Sequence, residues 1–285
     1  MTEHVRADAD AIVIRGEDGI RASEVVVGAA TDVGRLRTIN EDGYLAIAPA
    51  FVVVDGMGGH AAGRMATQVA LDSLYSLAGA TITDIDTVVR AVVAAQEAII
   101  AIPSHAAYLP GATIAGVILA WMVDEQGVTR PTWVIFNIGD ARVYLLRGDM
   151  LSQVTRDHSR VQILIETGEL TPEQARRDPR RNVVTRALGG GIADSAVPDL
   201  YSVPVAAGDR LLVCSDGLSD ELDDEAIATV LAAGYTAQRT AELLVAASLE
   251  GGGHDNTTAV VVDSAETPAL APAVVPGDAS TQEAL

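Results

Sequence analysis

Lysine is absent from the 285 residues: all 19 basic side chains are arginine, set against 39 Asp and Glu. The formal net charge of −20 argues against a chain that coats nucleic acid or an anionic membrane, whose phosphates it would repel. Exclusive use of Arg could furnish phosphate clamps, because a planar guanidinium matches phosphate oxygens. A compositional bias towards Ala, Gly, Val and Arg explains it more simply. The single cysteine, Cys214, excludes an internal disulfide and suits a reducing compartment. Aromatics make up only 4% of the chain, so Ala, Val, Leu and Ile must fill the core that 49% apolar content can support. No window approaches the ~20 apolar residues of a membrane span, and the opening Met-Thr-Glu-His shows no secretory leader. The expectation is a cytoplasmic monomer with no nucleic-acid or membrane partner.

What is present is a succession of apolar, β-rich runs. They fall at 25–30, 45–48, 51–54, 113–122, 132–138, 142–146, 151–154, 200–203, 210–214 and 257–262. Helical three- and four-residue spacing marks 62–77, 84–102, 225–233 and 237–249. Strands arrive in two batches around one helix pair, with a second pair before the last strand. That order disfavours a doubly wound parallel sheet and fits α+β: a central antiparallel β-sandwich with helix pairs outside. Residues 1–23 read as an N-terminal arm in which Ile12-Val13-Ile14 could add an edge strand. Residues 24–263 read as one domain, 159–191 as a flap-like insertion over its surface, and 264–285 as a disordered tail.

Four strand ends carry aspartate next to or near glycine. Phe51–Val54 runs into Asp55-Gly56-Met57-Gly58-Gly59, Trp133–Ile138 into Gly139-Asp140, and Leu211–Cys214 into Ser215-Asp216-Gly217. Gly251-Gly252-Gly253-His254-Asp255-Asn256 leads into the last strand. A carboxylate at the rim of a buried strand is held rigidly, and adjacent glycines let backbone carbonyls approach an ion. Several such carboxylates at one sheet edge repel each other unless a cation sits among them. Hard oxygen donors suit Mg²⁺ or Mn²⁺, and no Cys or His spacing favours Zn²⁺. Singly, each Asp-Gly is a common turn pair.

The ordered set is far more specific. Arg37-x-x-Asn40-Glu41-Asp42, Asp55–His60, Asn137-x-Gly139-Asp140-x-Arg142, Cys214–Asp220 and Gly252-x-x-Asp255-Asn256 follow one another in sequence. In this the chain resembles the metal-dependent serine/threonine protein phosphatases of type 2C, in their bacterial form, over about residues 24–263. The resemblance implies hydrolysis of phosphoserine and phosphothreonine in proteins by a water activated between two cations. It implies two or three Mn²⁺ or Mg²⁺ ions. Asp55, the Gly56 carbonyl, Asp216 and Asp255 would serve the core pair, and Asp140 with Asp216 a third, weaker site. Glu41 would act through water, Asp42 from behind the ligands, and Arg37 would grip the phosphate. Expected partners are phosphorylated proteins, among them a bacterial Ser/Thr kinase and its substrates.

Two departures stand out. Met57 occupies a position where eukaryotic members commonly carry a His assigned as general acid, and Gly111-Ala112-Thr113 replaces a frequent Gly-Thr-Thr. His60 invites the acid role, but the preceding glycines should turn it into the start of the next helix, away from substrate. Cys214 is expected to be inert, and His158 and His254 to be loop residues without chemistry. Arg176-Arg177 and Arg180-Arg181 are read either as a substrate-selecting flap or as a solvated face. Cysteine-dependent phosphatases are excluded because Asp220, not Arg, stands six after Cys214. Haloacid-type enzymes are excluded because Met57 stands two after Asp55. The alternative from another class is a phosphoprotein-binding scaffold that lost hydrolysis, which a missing carboxylate would betray.

Overall fold

The computed structural model describes residues 12–14, 23–59, 61–103, 109–192 and 197–264. In chain order the elements are β1 (Ile12–Ile14), β2 (Ser23–Asp32), β3 (Asp42–Ile47), β4 (Ala50–Met57), α1 (Ala61–Leu74), α2 (Ile85–Ile100), β5 (Gly111–Val123), β6 (Thr129–Ile138), β7 (Arg142–Arg147) and β8 (Met150–Gln153). There follow α3 (Arg160–Glu166), α4 (Pro172–Ala175), β9 (Leu188–Gly189), β10 (Asp199–Pro204), β11 (Arg210–Cys214), α5 (Asp216–Ser219), α6 (Asp224–Leu231), α7 (Ala237–Gly251) and β12 (Thr257–Ser264).

The strands form two antiparallel sheets, ordered β1-β2-β12-β11-β7-β8 and β10-β6-β5-β4-β3, with the short β9 beside β5. Each central strand is buried on both faces, which is why it reads as a continuous apolar run rather than an alternation. Period-two geometry divides its side chains. Phe51 and Val53 of β4, Val117 of β5, Trp133 of β6, Val213 of β11 and Val260 of β12 meet between the sheets. Val52, Val54, Ile114 and Phe136 turn outward onto Ala66, Ala70, Val92 and Ile99 of α1 and α2. Leu212, Cys214, Ala259 and Val261 turn the other way onto Ile227, Ala241, Leu244 and Val245 of α6 and α7. The result is four layers, α-β-β-α. Fully burying each Val, Leu, Ile or Phe is worth roughly 1.5–3 kcal/mol.

Small residues set the layer spacing. A Cβ on Gly28 would stand 2.1 Å from the Gln238 amide, so β2 and the first turn of α7 touch backbone to backbone. The Gln238 side chain seals that contact by bonding Ala29 N at 3.1 Å and Ala29 O at 3.0 Å. Asp84, Asp223 and Thr236 cap α2, α6 and α7 by accepting from the third residue beyond.

The edge strand open at Ile12–Ile14 is present and pairs antiparallel with β2. The 159–191 segment holds α3 and α4, but its end returns to the sheet, where Leu188 and Gly189 pair with Ala112 and Gly111. Ser264, expected to open the tail, instead ends β12 and pairs with Val25, which extends the domain by one residue. His60, expected to start α1, and the rest of the expected tail, 265–285, lie outside the described residues. No helix among the described residues is long and apolar enough to cross a membrane.

Candidate metal centre

Antiparallel pairing brings the Asp-bearing turns to one end of the sandwich. β4, β6 and β11 leave the sheets where β3, β7 and β12 enter, as the pairings Asp42 with Asp55, and Cys214 with both Arg142 and Ala259, require. Asp55, Asp216, Asp140, Asp255 and Asp42 converge there, each carboxylate within the electrostatic reach of Asp55.

Close backbone approaches make this convergence possible. A Cβ on Gly217 would lie 2.0 Å from the Asn256 carbonyl, so glycine alone lets α5 settle against the Asp255 loop and place Asp216 beside it. A Cβ on Gly56 would lie 2.4 Å from the Gly63 carbonyl, and one on Gly63 would lie 2.4 Å from Glu41 Oε1. This glycine pair presses the first turns of α1 onto the end of β4 and seats Glu41 over the junction. The Glu41 carbonyl accepts from Gly56 N at 3.2 Å and from Thr67 Oγ1 at 2.6 Å.

The Asp42 carboxylate faces inward. Its Oδ2 accepts from Ser215 Oγ and Thr258 Oγ1, each at 2.7 Å. Its other oxygen is buried without a hydrogen bond. Burial lifts the Asp42 pKa to about 6, opposed by the two hydroxyl bonds and assisted by the charge of Asp255. Burial and then Asp157 raise Asp140 to about 7. Asp55 is raised well above the usual carboxylate range by burial and by the charges of Asp42, Asp216, Asp140 and Asp255. Asp216 rises likewise through burial and the charges of Asp140, Asp220 and Asp255.

Asp55 and Asp216 are buried among like charges, each raised by burial and by its acidic neighbours. Buried carboxylates this close repel one another unless protons or cations sit among them, so the set demands positive charge. Among the described residues no three acidic, imidazole or thiol groups already surround one point as a cage. The donor set is nevertheless all hard oxygen. It fits a small divalent cation that offsets the clustered negative charge.

Arg37 reaches the same place from the 33–41 loop. Its Nη2 donates to Asp255 Oδ2 at 2.5 Å while the side chain stays 48% exposed, so it stands at the mouth with guanidinium edge to spare. Spacing alone did not reveal what holds this loop. Asn256, 4% exposed, accepts from Glu41 N at 2.8 Å and donates to Val33 O at 2.9 Å and Ile39 O at 3.0 Å. Ser215 and Thr258 were likewise missed as supports for Asp42. Their signal in the sequence was only that Ser215 precedes Asp216 and Thr258 stands two after Asn256.

Beside Asp140 and Asp216 opens a groove of about 810 Å³ between the 159–191 segment and α5–α6. Arg142 crosses its floor, clamped by Asp157 with Nη2 to Oδ2 at 2.7 Å. The four flap arginines divide. Arg176 donates to the Ser219 carbonyl at 3.0 Å and the Leu222 carbonyl at 2.6 Å, pinning the flap to the end of α5. Arg180 pairs with Asp178 at 2.8 Å. Arg177 and Arg181 line the groove, Arg181 within 3.6 Å of Asp220. Cys214 is fully buried beneath α7 and its thiol is pushed up to about 12 by burial, in keeping with inertness. His254 sits outside the carboxylate cluster, its Nδ1 2.6 Å from Glu221 Oε1. His158 lies in a loop as read, but it is 2% exposed and bonded on both ring nitrogens.

Residues 38–251 match the family model described as protein phosphatase 2C. The serine/threonine protein phosphatase PstP of Mycobacterium tuberculosis is 38% identical over 240 residues, which cover 82% of this chain and 44% of that protein. This chain therefore spans less than half the length of that relative. The serine/threonine phosphatase stp of Listeria innocua is 32% identical over 243 residues, covering 82% of this chain and 93% of its own. In three dimensions the chain is similar to the PstP catalytic domain in complex with two manganese ions, with a TM-score of 0.72 and 34% identity. That match covers 85% of this chain and 99% of the PstP domain.

Proposed function

The chain belongs to the protein phosphatase 2C family, and from that premise we propose that it hydrolyses phosphoserine and phosphothreonine in proteins with the help of bound divalent cations. The observation that carries this reading is the convergence of Asp55, Asp216, Asp255 and Asp140 at one sheet end, with Arg37 at the mouth. In this reading Asp55, the Gly56 carbonyl, Asp216 and Asp255 hold a core pair of Mn²⁺ or Mg²⁺, and Asp140 with Asp216 holds a third. When bound, such a pair supplies a nucleophilic water at neutral pH and positive charge opposite the transferring phosphoryl group.

The chain's own residues do the rest. Arg37 exchanges Asp255 for two phosphate oxygens, since its fork suits a tetrahedral anion as well as a carboxylate. Asp42, tied to Ser215 and Thr258, braces Asp55 across the β3–β4 pair. Glu41, buried over Gly63, holds a cation through water. Met57 has no proton to give a leaving alkoxide, and no covalent protein nucleophile is needed. Residues 24–264 form the catalytic domain. The substrates are phosphorylated proteins, including those of a bacterial Ser/Thr kinase, dephosphorylated as part of signalling in the cytoplasm.

Single alanine substitutions of Asp55, Asp216 and Asp255 test the assignment. Each should lower kcat on a phosphothreonine peptide by at least ~10³, because cation and charge clamp go together. Any two together should cost little more, as the three act as one unit. A rate within tenfold of wild type for Asp216→Ala would remove Asp216 from the centre.

A further inference from the structure

His158 closes the turn that carries Asp140, and the proposed reaction makes no use of it. Its ring Nδ1 lies 3.0 Å from the Gly139 amide nitrogen. A backbone N–H can only donate, so Nδ1 holds the lone pair and a neutral ring carries its proton on Nε2. That nitrogen stands 3.1 Å from Asp199 Oδ2 on β10. Arg186 Nη1 comes within 2.9 Å of Nε2 as well, but two donors do not bond each other. Both are aimed at Asp199, where Arg186 Nη1 reaches Oδ1 at 2.6 Å. A carboxylate on one ring nitrogen thus sets the tautomer that the other nitrogen needs.

The backbone completes the clamp. The His158 amide donates to the Gly139 carbonyl at 2.8 Å, so one residue takes both backbone polar groups of Gly139. Gly139 has φ +109°, and a Cβ there would fall 2.3 Å from Thr113 Cβ. The turn thus combines a conformation that favours glycine with a bond to a side chain 19 positions away. Asp140 is the next residue, only 7% exposed.

We infer that His158 is a positioning residue: the lone pair on its Nδ1, oriented by Asp199, fixes the Gly139-Asp140 turn and aims the Asp140 carboxylate at the weaker cation site. This rests on the assignment of Asp140 to such a site, which the test checks separately.

Asn and Gln separate positioning from packing. His158→Asn keeps an acceptor, Oδ1, near the place of Nδ1 but is small. His158→Gln is nearer in volume and can still present N–H to Asp199, yet lacks the δ acceptor. Titration calorimetry with Mn²⁺ should show the weaker binding step of wild type retained within ~3-fold in His158→Asn. In His158→Gln it should weaken at least ~10-fold, the loss of one buried hydrogen bond, with the tight steps unchanged. In cation-free protein the Gly139 amide should exchange with solvent at least ~10-fold faster in His158→Gln than in His158→Asn. If packing alone mattered, the order of the two variants would reverse, which would overturn the inference. Asp140→Asn is the separate arm. If it keeps the weaker step, the Asp140 assignment falls and takes this inference with it. If it loses the step while His158→Gln keeps it, only the role of His158 falls. Imidazole ¹⁵N shifts of unmutated, cation-free protein give a check independent of variant folding. They should show Nδ1 bare and Nε2 protonated, and a proton on Nδ1 would overturn the inference.

Discussion

Replacing Asn256 by alanine should damage both stability and phosphate binding, although this side chain is assigned contact with neither cation nor substrate. Its amide makes three hydrogen bonds to backbone: from Glu41 N, to Val33 O and to Ile39 O, at 2.8, 2.9 and 3.0 Å. At 4% exposure, water cannot readily replace them. At a net ~0.5–1.5 kcal/mol each, the three sum to roughly 2–4 kcal/mol. For a domain of this size that is a fall in Tm on the order of 4–16 °C, at about 2–4 °C per kcal/mol. The bonds bracket the loop that presents Arg37, so the surviving folded enzyme should show a raised KM for p-nitrophenyl phosphate as well. Asn256→Asp should be worse than alanine. It keeps the acceptor for Glu41 N but turns an anionic oxygen towards two carbonyls beside Asp255. Urea denaturation measures the first effect and steady-state kinetics the second. A stability loss under ~0.5 kcal/mol for Asn256→Ala, with KM unchanged, would refute the reasoning, since it falls below one ordinary hydrogen bond.

Arg37→Lys keeps the charge but not the fork, so KM for phosphopeptide should rise with a modest fall in kcat; an unchanged KM would place the phosphate grip elsewhere. Gly63→Ala puts a methyl 2.4 Å from Glu41 Oε1 and 2.9 Å from the Gly56 carbonyl, and should weaken Mn²⁺ binding in calorimetry. Binding as tight as wild type would mean the α1–β4 contact does not shape the centre. Arg176→Ala frees the carbonyls of Ser219 and Leu222, so hydrogen exchange should rise in residues 170–182 and in α5; protection equal to wild type would show the flap is pinned by other contacts. Asp42 at about 6 and Asp140 at about 7 hold protons in the folded chain that an unfolded Asp sheds near pH 4. The cation-free protein should therefore lose stability as pH rises from about 4 to 7, and the gain in Tm on adding Mn²⁺ should grow over the same range. A cation-free Tm that climbs with pH in that window would contradict the assigned burial.

Much of the architecture was legible because the informative signals are local. Strands buried on both faces announce themselves as unbroken runs such as Phe51–Val54 and Leu211–Cys214. Helices with one buried stripe show their spacing, and Asp55, Asp140 and Asp216 stand at strand ends where a rigid carboxylate is useful. Elements of two to four residues were not legible. β9 is held by pairing with β5 and by the Gln96 side chain of α2, and α4 by a capping box over a single turn, so neither carries a periodic signal. The supporting side chains were opaque for another reason. Ser215 and Thr258 meet Asp42 across 173 and 216 positions, and Asn256 meets Glu41 across 215. Nothing nearby in sequence marks such partners until the fold joins them. His158 looked idle because its partner groups, the Gly139 amide just past β6 and the Asp199 carboxylate on β10, lie 19 and 41 positions away in sequence.

The central claim is that the carboxylates at this sandwich end work through divalent cations on phosphorylated Ser and Thr. Phosphate release from a phosphothreonine peptide, measured with millimolar Mn²⁺ and again after chelation, tests it most directly. Turnover should require Mn²⁺ or Mg²⁺, vanish with chelator and return when the cation is restored. Full turnover by metal-stripped protein in chelator would contradict it.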